Sequence, residues 1–279
     1  MTRPTPPDEA RNLVVIVLDS LRYDSWAQAR MPALARLGAV ERRWSYASWT
    51  APSHYNLLVG LLPHTSPPHV HASEYYKNDF LRYSDRLAVP DVHFGRMLPA
   101  LYLPLFLRDT LGYRTCALVS MPVLNPATPL NCGFDSYELM PAHNDLGRIA
   151  GRLRFSGDRP VFYLLNTGET HYPYAVPGDD LGEWPRISGV HGVLKRLADD
   201  DDGGVFTADQ LAQLRARQIR AASHLNGALE RVFDALPRNT WVIVTSDHGE
   251  LFGEAGYFGH GPIAHDKVFE VPYVEGLLR

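Results

Sequence analysis

The chain has 279 residues, a net charge of −4 and two cysteines. That length suits one large α/β domain needing no crosslinks, and two thiols, read as reduced and structural, are too few for a disulfide framework. Lysines and arginines are spread along the chain, which excludes the concentrated basic face of a nucleic-acid binder. Leu13–Leu18, Thr115–Ser120, Val161–Leu165 and Trp241–Thr245 are short, β-branched, continuous apolar runs, as in parallel strands buried on both faces. Between them, helical spacing predicts short helices over Met31–Ala39 and Ser53–Leu61. A longer one over Phe94–Leu111 is interrupted by Pro99 and Pro104, and Gln210–Leu236 is the strongest of all. Alternating strands and helices predict a doubly wound, mostly parallel sheet sandwiched between helices. Residues 63–92 and 177–204 read as long loop excursions. The aromatics of the first (Tyr75, Tyr76, Phe80, Tyr83) fit either a pocket wall or simple packing, and the acidic run of the second reads as a solvated loop. No targeting segment and no membrane span is read, and the expected compartment is the cytoplasm.

In open α/β sheets ligands bind beyond the carboxyl ends of the strands. Three strand candidates deliver polar groups there: Asp19, then Asn166 with Glu169 and His171, then Asp247 and His248. Thr50, in the turn Thr-Ala-Pro-Ser-His, stands at the start of a helix between them. Two carboxylates, an imidazole and a hydroxyl suit Zn, Mn or Mg, and Ca less because of the histidine. Each element also has a plain structural reading. Asp19 and Thr50 can be helix caps, and Asp247-His248-Gly249 can be a turn.

Taken in order, these segments resemble the alkaline phosphatase superfamily in its sulfatase-like branch. "NLVVIVLDSLRYDSW" is similar to the first strand and metal-binding Asp, and "TAPSHYNLLVG" to the nucleophile signature. "ETHYPY" is similar to a His-x-Pro-Tyr segment. "VIVTSDHGELFGEAGYFGHG" followed by "FEVPYV" resembles the late metal-binding strand and its successor. The resemblance spans residues 12–274 and implies a single alkaline phosphatase-like catalytic domain over 1–279 that lacks the sulfatase C-terminal subdomain. It implies Asp19, Thr50, Asp247 and His248 as metal ligands and Thr50 as nucleophile. His171 would serve the leaving oxygen, and His260 and His54 would bind non-bridging oxygens.

The departures redirect the chemistry. Thr50 stands where sulfatases carry the Cys or Ser that becomes formylglycine, Ser20 where they place a second Asp, and His54 where they place Arg. The resemblance therefore implies a metal-dependent hydrolase or transferase acting on a phosphate (di)ester or phosphonate ester through a phospho-threonine. The alternatives are a sulfate-ester hydrolase without formylglycine, or a degenerate member that binds metal or an anion. One divalent ion is expected, Mn or Zn favoured over Mg or Ca. A second ion is less favoured, because Glu169, His171 and His260 do not match the usual spacing. The expected partner is a small anionic ester, with no nucleic acid and no membrane span, and oligomeric state is not legible. Ser53 is expected to cap the nucleophile helix, and His265 and Lys267 to lie exposed.

Overall fold

The computed structural model describes residues 12–65, 79, 82–92, 101–176, 179, 184, 194–197 and 206–278. Its centre is a seven-stranded sheet in the order β2-β10-β7-β1-β5-β3-β4. The strands are β1 (Leu13–Leu18), β2 (Glu41–Trp44), β3 (Arg114–Val119), β4 (Ser136–Leu139), β5 (Val161–Thr167), β7 (Thr240–Thr245) and β10 (Glu270–Leu278). β6 (Lys195–Arg196), β8 (Leu251–Phe252) and β9 (Tyr257–Gly259) form a small second sheet. β1 pairs in parallel with both β5 and β7, and β10 runs antiparallel to β7 and β2. The fold is thus the expected mostly parallel sheet between helices.

The period of two along a strand explains why β1 is apolar throughout. Val14, Ile16 and Leu18 enter the core on one face, while Leu13, Val15 and Val17 enter the core on the other. On the first face lie α1 (Tyr23–Trp26), α3 (Leu146–Arg152) and the 28-residue α4 (Ala208–Ala235). α4 opens on a capping box, Thr207 Oγ1 accepting from the Gln210 amide while the Gln210 side chain accepts from the Thr207 amide. On the second face lie α2 (Thr50–Leu58) and the helical residues 82–87. There Arg86 makes a two-pronged ion pair with Glu275 of β10, at 2.6 and 2.8 Å.

Several expected elements shift. The helix over Met31–Ala39 is a 3₁₀ turn, Pro32–Arg36. That over Ser53–Leu61 starts three residues earlier, at Thr50, because Trp49 is extended and Pro52 fits a first turn whose amides have no helical partner. Of Phe94–Leu111, residues 94–100 lie outside the described residues; the rest holds a short helix, Leu103–Leu105, and a π-helical turn, Phe106–Thr110. Half of the excursion 63–92 and most of 177–204 also lie outside the described residues, including Tyr75, Tyr76, Phe80 and the acidic run. Tyr83 is core and not pocket wall: it is fully buried among Leu58, Leu62 and Leu87. Cys116 is buried and Cys132 exposed, both as free thiols. Among the described residues no helix is long and apolar enough to cross a membrane.

Candidate active site

The central position of β1 brings three strand ends together. Its register sets Leu18 beside Thr167 of β5 and Val17 beside Thr245 of β7, so Asp19 emerges between the segments that carry Asn166 and Asp247. Asp19 is held on both sides: its amide donates to the Thr167 carbonyl (2.9 Å), and its own carbonyl accepts from Thr170 Oγ1 (2.7 Å). Ser20 turns the chain sharply at φ 62°, a left-handed conformation that costs a side-chain-bearing residue energy and needs fixed surroundings. Its amide donates to Asp247 Oδ1 (3.0 Å) and its hydroxyl to Asp19 Oδ1 (2.9 Å).

Thr50 is the first residue of α2, and its side chain caps nothing. The hydroxyl lies 3.4 Å from Asp19 Oδ2 and 3.3 Å from His248 Nε2. Ser53 does not cap the helix as expected. The earlier start places it inside α2, where its hydroxyl donates to the Ala47 carbonyl (3.4 Å). His54, one helical turn after Thr50, is buried with Nδ1 bonded to the Thr50 carbonyl (2.8 Å). The same nitrogen is 3.8 Å from Asp247 Oδ2.

Asp19, Asp247 and His248 each offer a ligand atom, all within 4.8 Å of one another and all buried. The donor chemistry fits a divalent ion on three counts. Asp247 Oδ1 is occupied by the amides of Ser20 and His248, whereas its Oδ2 is buried with no hydrogen-bond partner among the described residues. His248 donates Nδ1–H to the Gly249 carbonyl (2.8 Å), which fixes the tautomer and leaves the Nε2 lone pair facing Asp247 Oδ2 at 3.4 Å. Finally, the group lacks positive charge. Burial, and the neighbouring Asp247, raise the Asp19 pKa; burial pushes Asp247 up to about 6 and His248 down to about 3. Two carboxylates beside neutral imidazoles leave a site that a cation would balance.

A second tier of histidines surrounds this group. The His260 ring stands 4.3 Å from that of His248 and 5.3 Å from that of His171, centroid to centroid. His260 Nδ1 bonds to Glu250 Oε1 (2.9 Å), and the Tyr174 hydroxyl donates to the other Glu250 oxygen. Burial brings His260 down to about 3 and raises Glu250 to about 7. His171 is half-buried, with Nδ1 at the Tyr172 carbonyl (3.0 Å). The structure thus brings Asp19, Thr50, His54, His171, Asp247, His248 and His260 to one end of the sheet.

Glu169 is turned away from any such group. Its oxygens accept from the Leu146 amide at the start of α3 and from Thr167 Oγ1. His265 and Lys267 are half-buried rather than exposed. His265 Nδ1 caps a short helix by accepting from the Lys267 amide, and Lys267 Nζ pairs with Asp24 and Glu270.

Four further residues contribute, of which sequence reasoning named Asn166 as a strand-end polar group and missed the other three. Asn166 donates to Asp19 Oδ2 (3.4 Å) while its Oδ1 accepts the amides of Ser120 and Met121. Glu250 and Tyr174 form the support of His260. His143 lies on the loop that the Gly168 amide grips by its carbonyl (2.6 Å), within electrostatic reach of His171 and Asp19. Of the three missed, Glu250 carried a signal in its place in the Asp-His-Gly-Glu run and Tyr174 in its place at the end of the ETHYPY segment.

Residues 148–274 match the family model described as Sulfatase. Solved structures extend the likeness over nearly the whole chain. The C-terminal periplasmic domain of EcEptC from Escherichia coli, in complex with Zn, is 14% identical with a TM-score of 0.57, covering 98% of this chain and 74% of that one. This chain shares the fold of that domain. The phosphonate monoester hydrolase of Agrobacterium radiobacter shares it at 17% identity and a TM-score of 0.58, over 96% of this chain and 68% of that one. So does the soluble domain of lipooligosaccharide phosphoethanolamine transferase A from Neisseria meningitidis, at 15% and 0.56, over 98% and 78%. No curated protein matches the chain.

Proposed function

We propose that the chain is a metal-dependent enzyme that transfers or hydrolyses a phosphate (di)ester or phosphonate ester through a phosphorylated Thr50. The observation that carries this reading is the Thr50 hydroxyl, 3.4 Å from Asp19 and 3.3 Å from His248, at the edge of a buried group short of positive charge. The structural neighbours whose names give a phosphoethanolamine transferase, a phosphonate monoester hydrolase and a Zn complex support it.

Asp19, Asp247 and His248 would hold the ion, with Thr50 Oγ1 beside them; Zn or Mn suits this mixed donor set. When bound, such an ion lowers the pKa of a hydroxyl and neutralises charge on a phosphoryl oxygen. Thr50 Oγ1, its proton released by way of Asp19 Oδ2 to solvent, attacks phosphorus as the bond to the leaving oxygen breaks. His171 gives that oxygen a proton. Water or an acceptor hydroxyl then displaces Thr50 from phosphorus and restores the free hydroxyl. His260, anchored by Glu250, faces a non-bridging oxygen. The start of α2 adds free backbone amides on the same side.

Metal content measured together with turnover of chromogenic phosphate mono- and diesters, phosphonates and sulfates tests the reading. Metal-dependent turnover of a phosphorus ester is expected. Turnover of sulfates alone, or stoichiometric metal binding with no turnover of any ester, would overturn it.

A further inference from the structure

Gln218 sits midway along α4, among positions that are otherwise apolar. Leu214 precedes it by one turn, Ala221 and Ala222 follow, and all four are completely buried. Helical spacing assigns this part of the core stripe to Ile219, yet Ile219 is only half-buried and the amide takes the interior place. Gln218 Nε2 donates to the Ser20 carbonyl (2.8 Å) and to the Thr170 carbonyl (3.2 Å). Carbonyl oxygens can only accept, so the amide nitrogen must face them. Its Oε1 is left buried with no hydrogen-bond partner among the described residues. An apolar side chain of the same length would fill this place but would take the donor away from both carbonyls.

The two carbonyls belong to the two turns that build the site. Ser20 follows Asp19, holds a left-handed conformation, and gives its amide to Asp247 Oδ1. Thr170 precedes His171, and its hydroxyl holds the Asp19 carbonyl. One side chain from a flanking helix therefore ties the β1 exit to the β5 exit. We infer that Gln218 is a positioning residue. By fastening the Asp19–Ser20 turn to the Thr170–His171 turn, it sets Asp19 against Asp247 and His248 and fixes His171 relative to all three. This inference rests on the metal-dependent reading above.

The test is a calorimetric Zn²⁺ titration of the metal-free full chain, with thermal unfolding and steady-state kinetics alongside, on wild type, Gln218→Met and Gln218→Glu. Met keeps the length and volume but has no donor. Glu sets carboxylate oxygens against two carbonyls. Gln218→Met is expected to weaken Zn²⁺ binding by about 10–100-fold, the usual range for a residue that orients ligands, and to lower kcat while KM stays within about twofold. Gln218→Glu is expected to lose more. Wild-type affinity and kcat in Gln218→Met, even with a lowered Tm, would make Gln218 purely structural and overturn the inference while leaving the proposed function intact. A wild-type chain that binds no Zn²⁺ would instead overturn the reading beneath it. Should Gln218→Met fail to fold, Gln218→Glu decides the matter by the same titration, and wild-type Zn²⁺ affinity in that variant would overturn the inference.

Discussion

The Thr50 hydroxyl lies 3.3 Å from Nε2 of His248, although 198 residues of chain separate them. Two local arrangements create this closeness. α2 begins at Thr50, which keeps the hydroxyl out of any capping bond. His248 spends its other nitrogen on the Gly249 carbonyl and so leaves Nε2 facing the hydroxyl and Asp247. Under the proposed function, the nucleophile and a metal ligand are therefore already adjacent.

Asp247→Asn should abolish metal binding and yet stabilise the metal-free protein. Asn keeps an acceptor for the Ser20 and His248 amides and removes a buried charge. Burial pushes the Asp247 pKa up to about 6, above the ordinary carboxylate range of about 3.9. The folded form therefore holds a proton that the unfolded form has lost, and this advantage fades as pH rises through about 6. Above that pH, denaturant unfolding without metal should show the variant more stable by about 3 kcal/mol at most, from 1.36 kcal/mol per pKa unit.

Metal affinity itself should depend on pH. An ion must displace the proton on Asp247 below pH 6, while His248, brought down to about 3, is already neutral. The association constant should rise about tenfold per pH unit between pH 4 and 6 and then level off. Calorimetric titrations across that range would show the bend. Affinity flat from pH 4 to 8 would remove Asp247 from the ligand set.

Glu250→Ala should free the His260 ring, which loses the 2.9 Å bond that orients it. Turnover should fall about 10–100-fold, as for other residues that orient a functional histidine. Glu250→Gln keeps an acceptor for Nδ1–H and should recover part of that loss.

Gly249→Ala should damage both stability and metal binding. A Cβ at this position would stand 2.1 Å from the Lys267 carbonyl oxygen, backbone that cannot swing aside. Relief of that clash should cost about 1–3 kcal/mol in thermal or denaturant unfolding. The shift also acts on the carbonyl that holds His248 Nδ1, so Zn²⁺ affinity should drop with it.

What the sequence made legible follows from how local each signal is. β1 is readable because six buried apolar residues end abruptly at Asp19, and Asp247-His248 because β7 ends in the same way. β2, with the sequence Glu-Arg-Arg-Trp, looks like no strand; pairing with β10 makes it one. Gln218 reads as a surface residue of an amphipathic helix until the two carbonyls it serves are placed opposite it, 48 and 198 residues away. His143 is out of reach for a related reason. Its loop is set by Gly168, where a Cβ would meet the His143 carbonyl and Met121 Sδ, both at 2.7 Å. Thr50 was legible as a candidate from its turn, but its freedom from capping depends on where the helix starts.

The central claim is a covalent phosphoryl group on Thr50. Rapid acid quench of the metal-loaded protein with a chromogenic phosphate diester, followed by peptide mass spectrometry, tests it most directly. Phosphate or the substituted phosphoryl group should appear on the peptide containing Thr50, and Thr50→Ala should lose the adduct and at least about 10³-fold in kcat while still binding metal through Asp19, Asp247 and His248. Turnover by Thr50→Ala at the wild-type rate would contradict the account.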